Sequence, residues 1–201
     1  MPFISIEGCD GSGKSTQAAI LQKKLIAQGI DVVLTKEPGG STLGNTIRSM
    51  LLESEITDSM TEFLLLSAAR RDHVLEIKQH IKAGKWVITD RFSDSSLAYQ
   101  GYAKGLDINN IQLITQLITE GLMPDLTILL DVSLNIMQNR MQLSEGHRNF
   151  YDMKSIEFHR KVKNGFLKTA QQYSDRIVII NADSCINDVS ERILLLVMKL
   201  Q

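Results

Sequence analysis

Gly8-Cys9-Asp10-Gly11-Ser12-Gly13-Lys14-Ser15 satisfies the pattern G-x-x-x-x-G-K-[ST] in full and directly follows the apolar run Phe3-Ile4-Ser5-Ile6. Glycines at these spacings let the backbone curl until several N–H groups point inward, and the helix that follows turns its positive N-terminal end to the same point. Such a concavity binds a chain of phosphates. Gly8, Cys9, Asp10, Gly11, Ser12, Gly13, Lys14, Ser15 and Thr16 would wrap it, with Lys14 reaching the outer phosphates and the Ser15 hydroxyl offered to Mg²⁺. A glycine-rich turn that matches by chance would lack the preceding strand and the amphipathic helix opened by Lys14-Ser15-Thr16-Gln17. The chemistry implied is binding of a nucleoside triphosphate.

Residues of this kind need a scaffold, and its rhythm is visible along the chain. Apolar, β-branched runs recur at 3–7, 31–35, 86–90, 126–131 and 176–181. Between them, helical periodicity predicts helices at 14–28, 61–83, 108–120, 134–141, 154–173 and 187–199. That alternation predicts an α/β fold, a three-layer doubly wound five-stranded parallel sheet of the P-loop NTPase type. In such a sheet a ligand sits beyond the carboxyl ends of the strands.

With 201 residues, 43% of them hydrophobic, the chain is expected to fold as one domain carrying a small mobile lid at about 142–152. A formal net charge of −1 excludes broad attraction to a nucleic acid polymer or a membrane surface, so a phosphorylated ligand must be held by locally placed arginines. No apolar run approaches the roughly 18 residues of a membrane span. The N-terminus enters a strand without a leader, and the expected location is cytoplasmic. Cys9 and Cys185 are too few for a disulfide framework or a zinc site.

The segments that follow the strands are rich in chemistry. Lys36-Glu37-Pro38-Gly39-Gly40, Ala68-Ala69-Arg70, Asp90-Arg91-Phe92, Ser96-Leu97-Ala98-Tyr99-Gln100-Gly101 and Pro124-Asp125-Leu126-Thr127 stand in this order behind the phosphate loop. The set resembles the bacterial thymidylate kinases over nearly the whole chain. The resemblance implies transfer of the γ-phosphoryl group of ATP to dTMP, with Mg²⁺, usually by a homodimer. It assigns Arg48 and Arg91 to the acceptor phosphate, Arg91 serving the transferred group as well, and Arg70 to the thymine ring. Asp10 would reach the sugar 3′-hydroxyl. Ser96 and Gln100 would hydrogen-bond thymine, Tyr99 would fill the space near C2′, and Pro38 and Leu66 would complete the dTMP site. Arg140, Asn181 and Ala182 would flank adenine. For Asp90 two roles stay open, as a neighbour of Mg²⁺ or as a partner that orients Arg91. Lys14, Arg91, Asp10 and Arg148 form the catalytic set this implies. Phosphoryl transfer between two polyanions depends on positioning and neutralisation, which suits a set dominated by cations.

Two positions depart from the family pattern. Gly11 stands where some members carry an arginine, so a lid cation is expected, and Arg148 is the only Lys or Arg in 142–152. Leu66 replaces a phenylalanine that stacks on thymine. No function is expected of any of the four histidines. Competing readings are a kinase for another small acceptor, such as a deoxynucleoside, and a nucleotide switch; the latter lacks an Asn-Lys-x-Asp element for guanine.

Overall fold

In the computed structural model, which describes residues 1–53, 56–143 and 154–200, the elements run in the order β1 (Phe3–Glu7), α1 (Lys14–Ala27), β2 (Val32–Lys36), α2 (Thr42–Glu53), α3 (Ser59–Lys82), β3 (Trp86–Asp90) and α4 (Ser93–Ser96). A π-helical turn (Leu97–Ala103) continues α4, followed by α5 (Ile108–Thr119), β4 (Leu126–Asp131), α6 (Leu134–Leu143), α7 (Ile156–Gln172), β5 (Ile177–Asn181), α8 (Ile186–Val197) and a 3₁₀ turn at Met198–Leu200.

The five strands form one sheet in the order β2-β3-β1-β4-β5, every neighbouring pair parallel. Ile4 lies opposite Ile88 on β3 and Leu126 on β4. All five residues of β1 are buried, as expected of a strand covered on both faces. Ile4 and Ile6 pack with Ala18, Leu21 and Leu25 of α1 and with Ile193 and Val197 of α8. Phe3, which points to the opposite face by strand alternation, packs with Val74 and Ile77 of α3 and with Phe92. The core therefore places the end of β1 at the middle of the molecule's ligand-facing edge. No helix among the described residues is long and apolar enough to cross a membrane.

The five strands and six helices expected from periodicity lie within two residues of their places. Side-chain caps fix several starts: Asp58 accepts from the Thr61 N–H at 2.6 Å and Ser155 from the Phe158 N–H at 3.2 Å. Two helical pieces were not anticipated, α2 and the α4–π segment. α2 is held on α3 by Ile47 and Leu51 against Ala69.

Candidate active site

The phosphate loop leaves β1 through a bend that admits no side chain. Gly8 has φ 145°, and a Cβ on it would lie 2.7 Å from both the Leu130 carbonyl oxygen and Ser12 Oγ. Gly11, at φ 75°, faces α6, where a Cβ would come within 2.9 Å of the Met137 carbonyl oxygen. Lys14 is buried and donates to the Cys9 carbonyl at 2.8 Å. Burial, with Arg91 close by, holds its ammonium below the ordinary lysine value against the opposing pull of Asp10 and Asp90. Ser15 and Thr16 are exposed in the first turn of α1. The Ser15 hydroxyl donates to Asp90 Oδ2, while Asp90 Oδ1 is buried with no hydrogen-bond partner among the described residues.

Arg91, just past β3, organises the next layer. Its φ of 72° is uncommon for a residue with a Cβ. Neighbouring bonds hold it there: its N–H donates to the Ile6 carbonyl at 3.0 Å, its carbonyl accepts from Thr89 Oγ1 at 2.8 Å, and the Phe92 N–H donates to Glu7 Oε1 at 2.7 Å. The guanidinium donates through Nη1 to the Gly8 carbonyl at 2.9 Å and Ser95 Oγ at 3.1 Å, and through Nη2 to Asp10 Oδ1 at 2.6 Å and Tyr99 Oη at 3.1 Å. Tyr99 in turn donates to Asp10 Oδ2 at 2.9 Å, with its ring beneath the guanidinium at 5.1 Å. Asp90 thus contacts the loop serine, and the hydrogen bonds of Arg91 go to other groups.

The electrostatics follow from these contacts. Burial works to raise Asp10, but the charges of Arg91 and Lys14 and the Tyr99 hydroxyl outweigh it and hold the carboxyl at about 2. Glu7 goes the other way. Burial, reinforced by Asp94, pushes it up to about 7 despite Arg91 and the bonds from Ser95 and Phe92.

Beside the loop lies a cavity. Asp10, Pro38, Arg48, Leu66, Arg70 and Arg91 line it together with Ser96, Tyr99 and Gln100, so all nine residues assigned to dTMP by resemblance meet there. Arg70, buried, donates from Nε to Glu37 Oε2 at 2.7 Å, from Nη1 to Ser96 Oγ at 3.0 Å and from Nη2 to the Phe92 carbonyl at 3.2 Å. Glu37 also lies 3.0 Å from His73 Nδ1, whose Nε2 is 2.7 Å from Thr35 Oγ1. Arg48 donates to the Pro38 carbonyl at 2.9 Å. Leu51, Leu52 and Ala69 extend the wall that holds Leu66, which is aliphatic there.

A second group gathers at the far side of the loop. Arg140 on α6 donates to the Ala182 carbonyl at 3.0 Å, and Asn181 precedes Ala182 at the end of β5, its Oδ1 accepting from the Asp183 N–H at 2.9 Å. Arg148 and most of the expected lid at 142–152 lie outside the described residues.

Four polar residues of the site carried no role in the sequence analysis. Glu7 and Ser95 shape the turn around Arg91, Glu37 fixes Arg70, and Glu62 holds Gln100. A carboxylate at or just past the end of an apolar strand is a legible signal for Glu7 and Glu37; Glu62, in the first turn of α3, shows only the ordinary preference of helix starts for an acid.

A parallel sheet in the order β2-β3-β1-β4-β5, with a glycine-rich phosphate loop between β1 and α1, defines the P-loop NTPase fold. The family model described as thymidylate kinase matches residues 6–193. The chain is 47% identical over 191 residues to the thymidylate kinase of Geobacillus sp. strain WCH70, covering 93% of this chain and 91% of that protein. It is 41% identical over 199 residues to that of Bacillus cytotoxicus, covering 97% and 96%. A crystal structure of thymidylate kinase from Ehrlichia chaffeensis superposes with a TM-score of 0.80 at 33% identity, covering 98% of each chain. The chain belongs to the thymidylate kinase family.

Proposed function

We propose that this protein transfers the γ-phosphoryl group of ATP to dTMP, giving dTDP and ADP. The observation that carries the reading is the cavity joined to the phosphate loop through Arg91, which bonds the loop at Gly8 and Asp10 and lines the acceptor pocket at the same time. A cation in that position serves both the donor γ-phosphate and the acceptor phosphate as charge moves between them.

Lys14 exchanges its loop carbonyl for the β- and γ-phosphates. Arg48 and Arg91 hold the acceptor phosphate, and Asp10 orders the sugar through its 3′-hydroxyl. Arg70, Ser96 and Gln100 bind the thymine edge, Leu66 and Pro38 give apolar contact, and Tyr99 excludes a 2′-hydroxyl. Arg140, Asn181 and Ala182 flank adenine. The Ser15 hydroxyl and the Asp90 carboxylate, one of whose oxygens is buried with no partner among the described residues, are hard oxygen donors that fit Mg²⁺. When bound there, the ion would neutralise charge on the donor phosphates. The lid cation is Arg148, closing from 142–152 over a single domain. The protein works in the cytoplasm and as a homodimer, and the exposed apolar side chains of Leu113 and Leu117 on α5, at 67% and 75%, support the pairing.

A coupled ADP-release assay over a panel of nucleoside monophosphates, with thymidine alongside, tests the reading. Turnover with dTMP and none with thymidine is expected. Preference for thymidine would reassign the protein to the deoxynucleoside kinases, and acceptor-independent hydrolysis alone would make it a switch.

A further inference from the structure

We infer that Glu62 sets the discrimination between thymine and cytosine by fixing which end of the Gln100 amide faces the acceptor cavity. The inference rests on the proposed placement of the base against Gln100 and Ser96. Glu62 is 2% exposed, in α3, and both its oxygens are engaged: Oε1 accepts from Gln100 Nε2 at 2.6 Å, and Oε2 accepts from Lys104. An ionised carboxylate only accepts hydrogen bonds, so the Gln100 side chain must turn its NH₂ group toward Glu62. Its carbonyl oxygen is left for the cavity that Gln100 lines. Next to it, Ser96 Oγ accepts from Arg70 Nη1, which leaves the serine hydroxyl hydrogen to be donated.

The wall thus offers an acceptor beside a donor. Thymine presents the complement, an N3–H beside the O4 acceptor. Cytosine presents the reverse, a bare N3 beside an amino group, and would face acceptor with acceptor and donor with donor. Uracil has the same edge as thymine, so this device does not read the methyl group. Glu62 touches no substrate in this reading and acts as a positioning residue through Gln100.

Glu62→Gln is the direct test. Lys104 can donate only, so it claims the oxygen of the new amide and leaves its NH₂ toward Gln100, which must then rotate and present its own NH₂ to the cavity. Turnover of dTMP, dUMP and dCMP should be compared in the wild-type protein and the variant, with thermal melting as the check on folding. The dTMP:dCMP ratio of kcat/KM should fall on the order of tenfold to a hundredfold, the scale of a mispaired buried hydrogen bond. The dTMP:dUMP ratio should stay within about twofold, because both bases lose the same contact, and KM for ATP should not move.

Lys104→Met supplies an independent variant in which the Glu62 oxygen facing Gln100 is kept, so the wild-type dTMP:dCMP ratio should be retained even where stability drops. An unchanged dTMP:dCMP ratio in folded Glu62→Gln, or loss of that ratio in Lys104→Met, overturns the inference while leaving the kinase reading in place. Absence of dTMP turnover in the wild-type protein overturns the kinase reading itself, and the inference with it.

Discussion

The guanidinium of Arg91 and the carboxylate of Asp10 meet at 2.6 Å, one from the turn after β3 and the other from inside the phosphate loop. An acid in a loop built for polyphosphate is unfavourable unless a cation answers it, and here Arg91 and Lys14 do so, with a hydrogen bond from the Tyr99 hydroxyl beside them. With its carboxyl held at about 2, Asp10 stays ionised and a hydrogen-bond acceptor throughout the neutral range.

Lys14→Ala should lower kcat by at least 10²–10³, the range seen when one preorganised group facing transition-state charge is removed. The fold should survive, because burying the Lys14 ammonium is itself unfavourable and alanine relieves that cost. Steady-state kinetics with a melting curve separate the two effects; near-normal turnover in a folded variant would end the role given to Lys14.

Glu7 makes stability depend on pH in a defined direction. Its carboxyl titrates near 7 in the folded protein against an ordinary 4.5, so the folded state binds the extra proton between those values. Stability from this group is complete below about pH 4.5 and is lost as pH rises through 7, about 3 kcal/mol in all from the size of the shift. Denaturant unfolding at pH 5 and pH 8 should show that loss in the wild-type protein and not in Glu7→Gln. Parallel behaviour of the two proteins would mean that Glu7 is ionised throughout.

Much of this architecture is legible in the residues. The five strands are β-branched or aliphatic runs ending at chemistry-bearing positions, and a parallel sheet buried on both faces needs nothing subtler. α2 was not legible, because Gly44 interrupts its buried stripe, exposed Thr46 and Ser49 are weak helix formers, and its stability comes from packing Ile47 and Leu51 on α3. The Leu97–Ala103 turn was obscured for another reason. Its aromatic and small residues follow no 3.6-residue period, and the wide π-helical geometry is fixed by packing on α7, where Gly165 lies close against Ala98 and Tyr102. In the site, the loop and the arginines could be named from motif and resemblance. The pairing of Glu37 with Arg70 could not, since that buried ion pair joins residues 33 positions apart, which no spacing rule connects.

Tyr99 separates bulk from hydrogen bonding. In the wild-type protein ribothymidine monophosphate should be a poor acceptor, while dUMP, one methyl smaller, should lose only about 10–200-fold. Tyr99→Phe keeps the ring and should keep the exclusion, although Asp10 and Arg91 lose the hydroxyl between them. Admission of the ribonucleotide by Tyr99→Phe would show that the ring is not the barrier.

Leu66 stands in an aliphatic wall with Leu51, Leu52 and Ala69. A phenylalanine there adds a stacking face, so Leu66→Phe should tighten dTMP binding on the order of tenfold and leave ATP unchanged. Calorimetry showing weaker or equal dTMP affinity would mean that the wall has no room for a ring beside the base.

Arg91 bonds the Gly8 carbonyl as well as Asp10, so the residue proposed to answer an incoming acceptor phosphate is also a strut of the phosphate loop. An acceptor that draws the guanidinium away alters the loop to which ATP binds, and ATP in the loop alters the guanidinium that the acceptor meets. With Arg91 in that proposed role the two ligands are expected to be thermodynamically linked, each changing the other's affinity by the same factor. Dissociation constants taken with one nucleotide at a time will differ from those that hold in the ternary complex, and the size of that difference measures the strut.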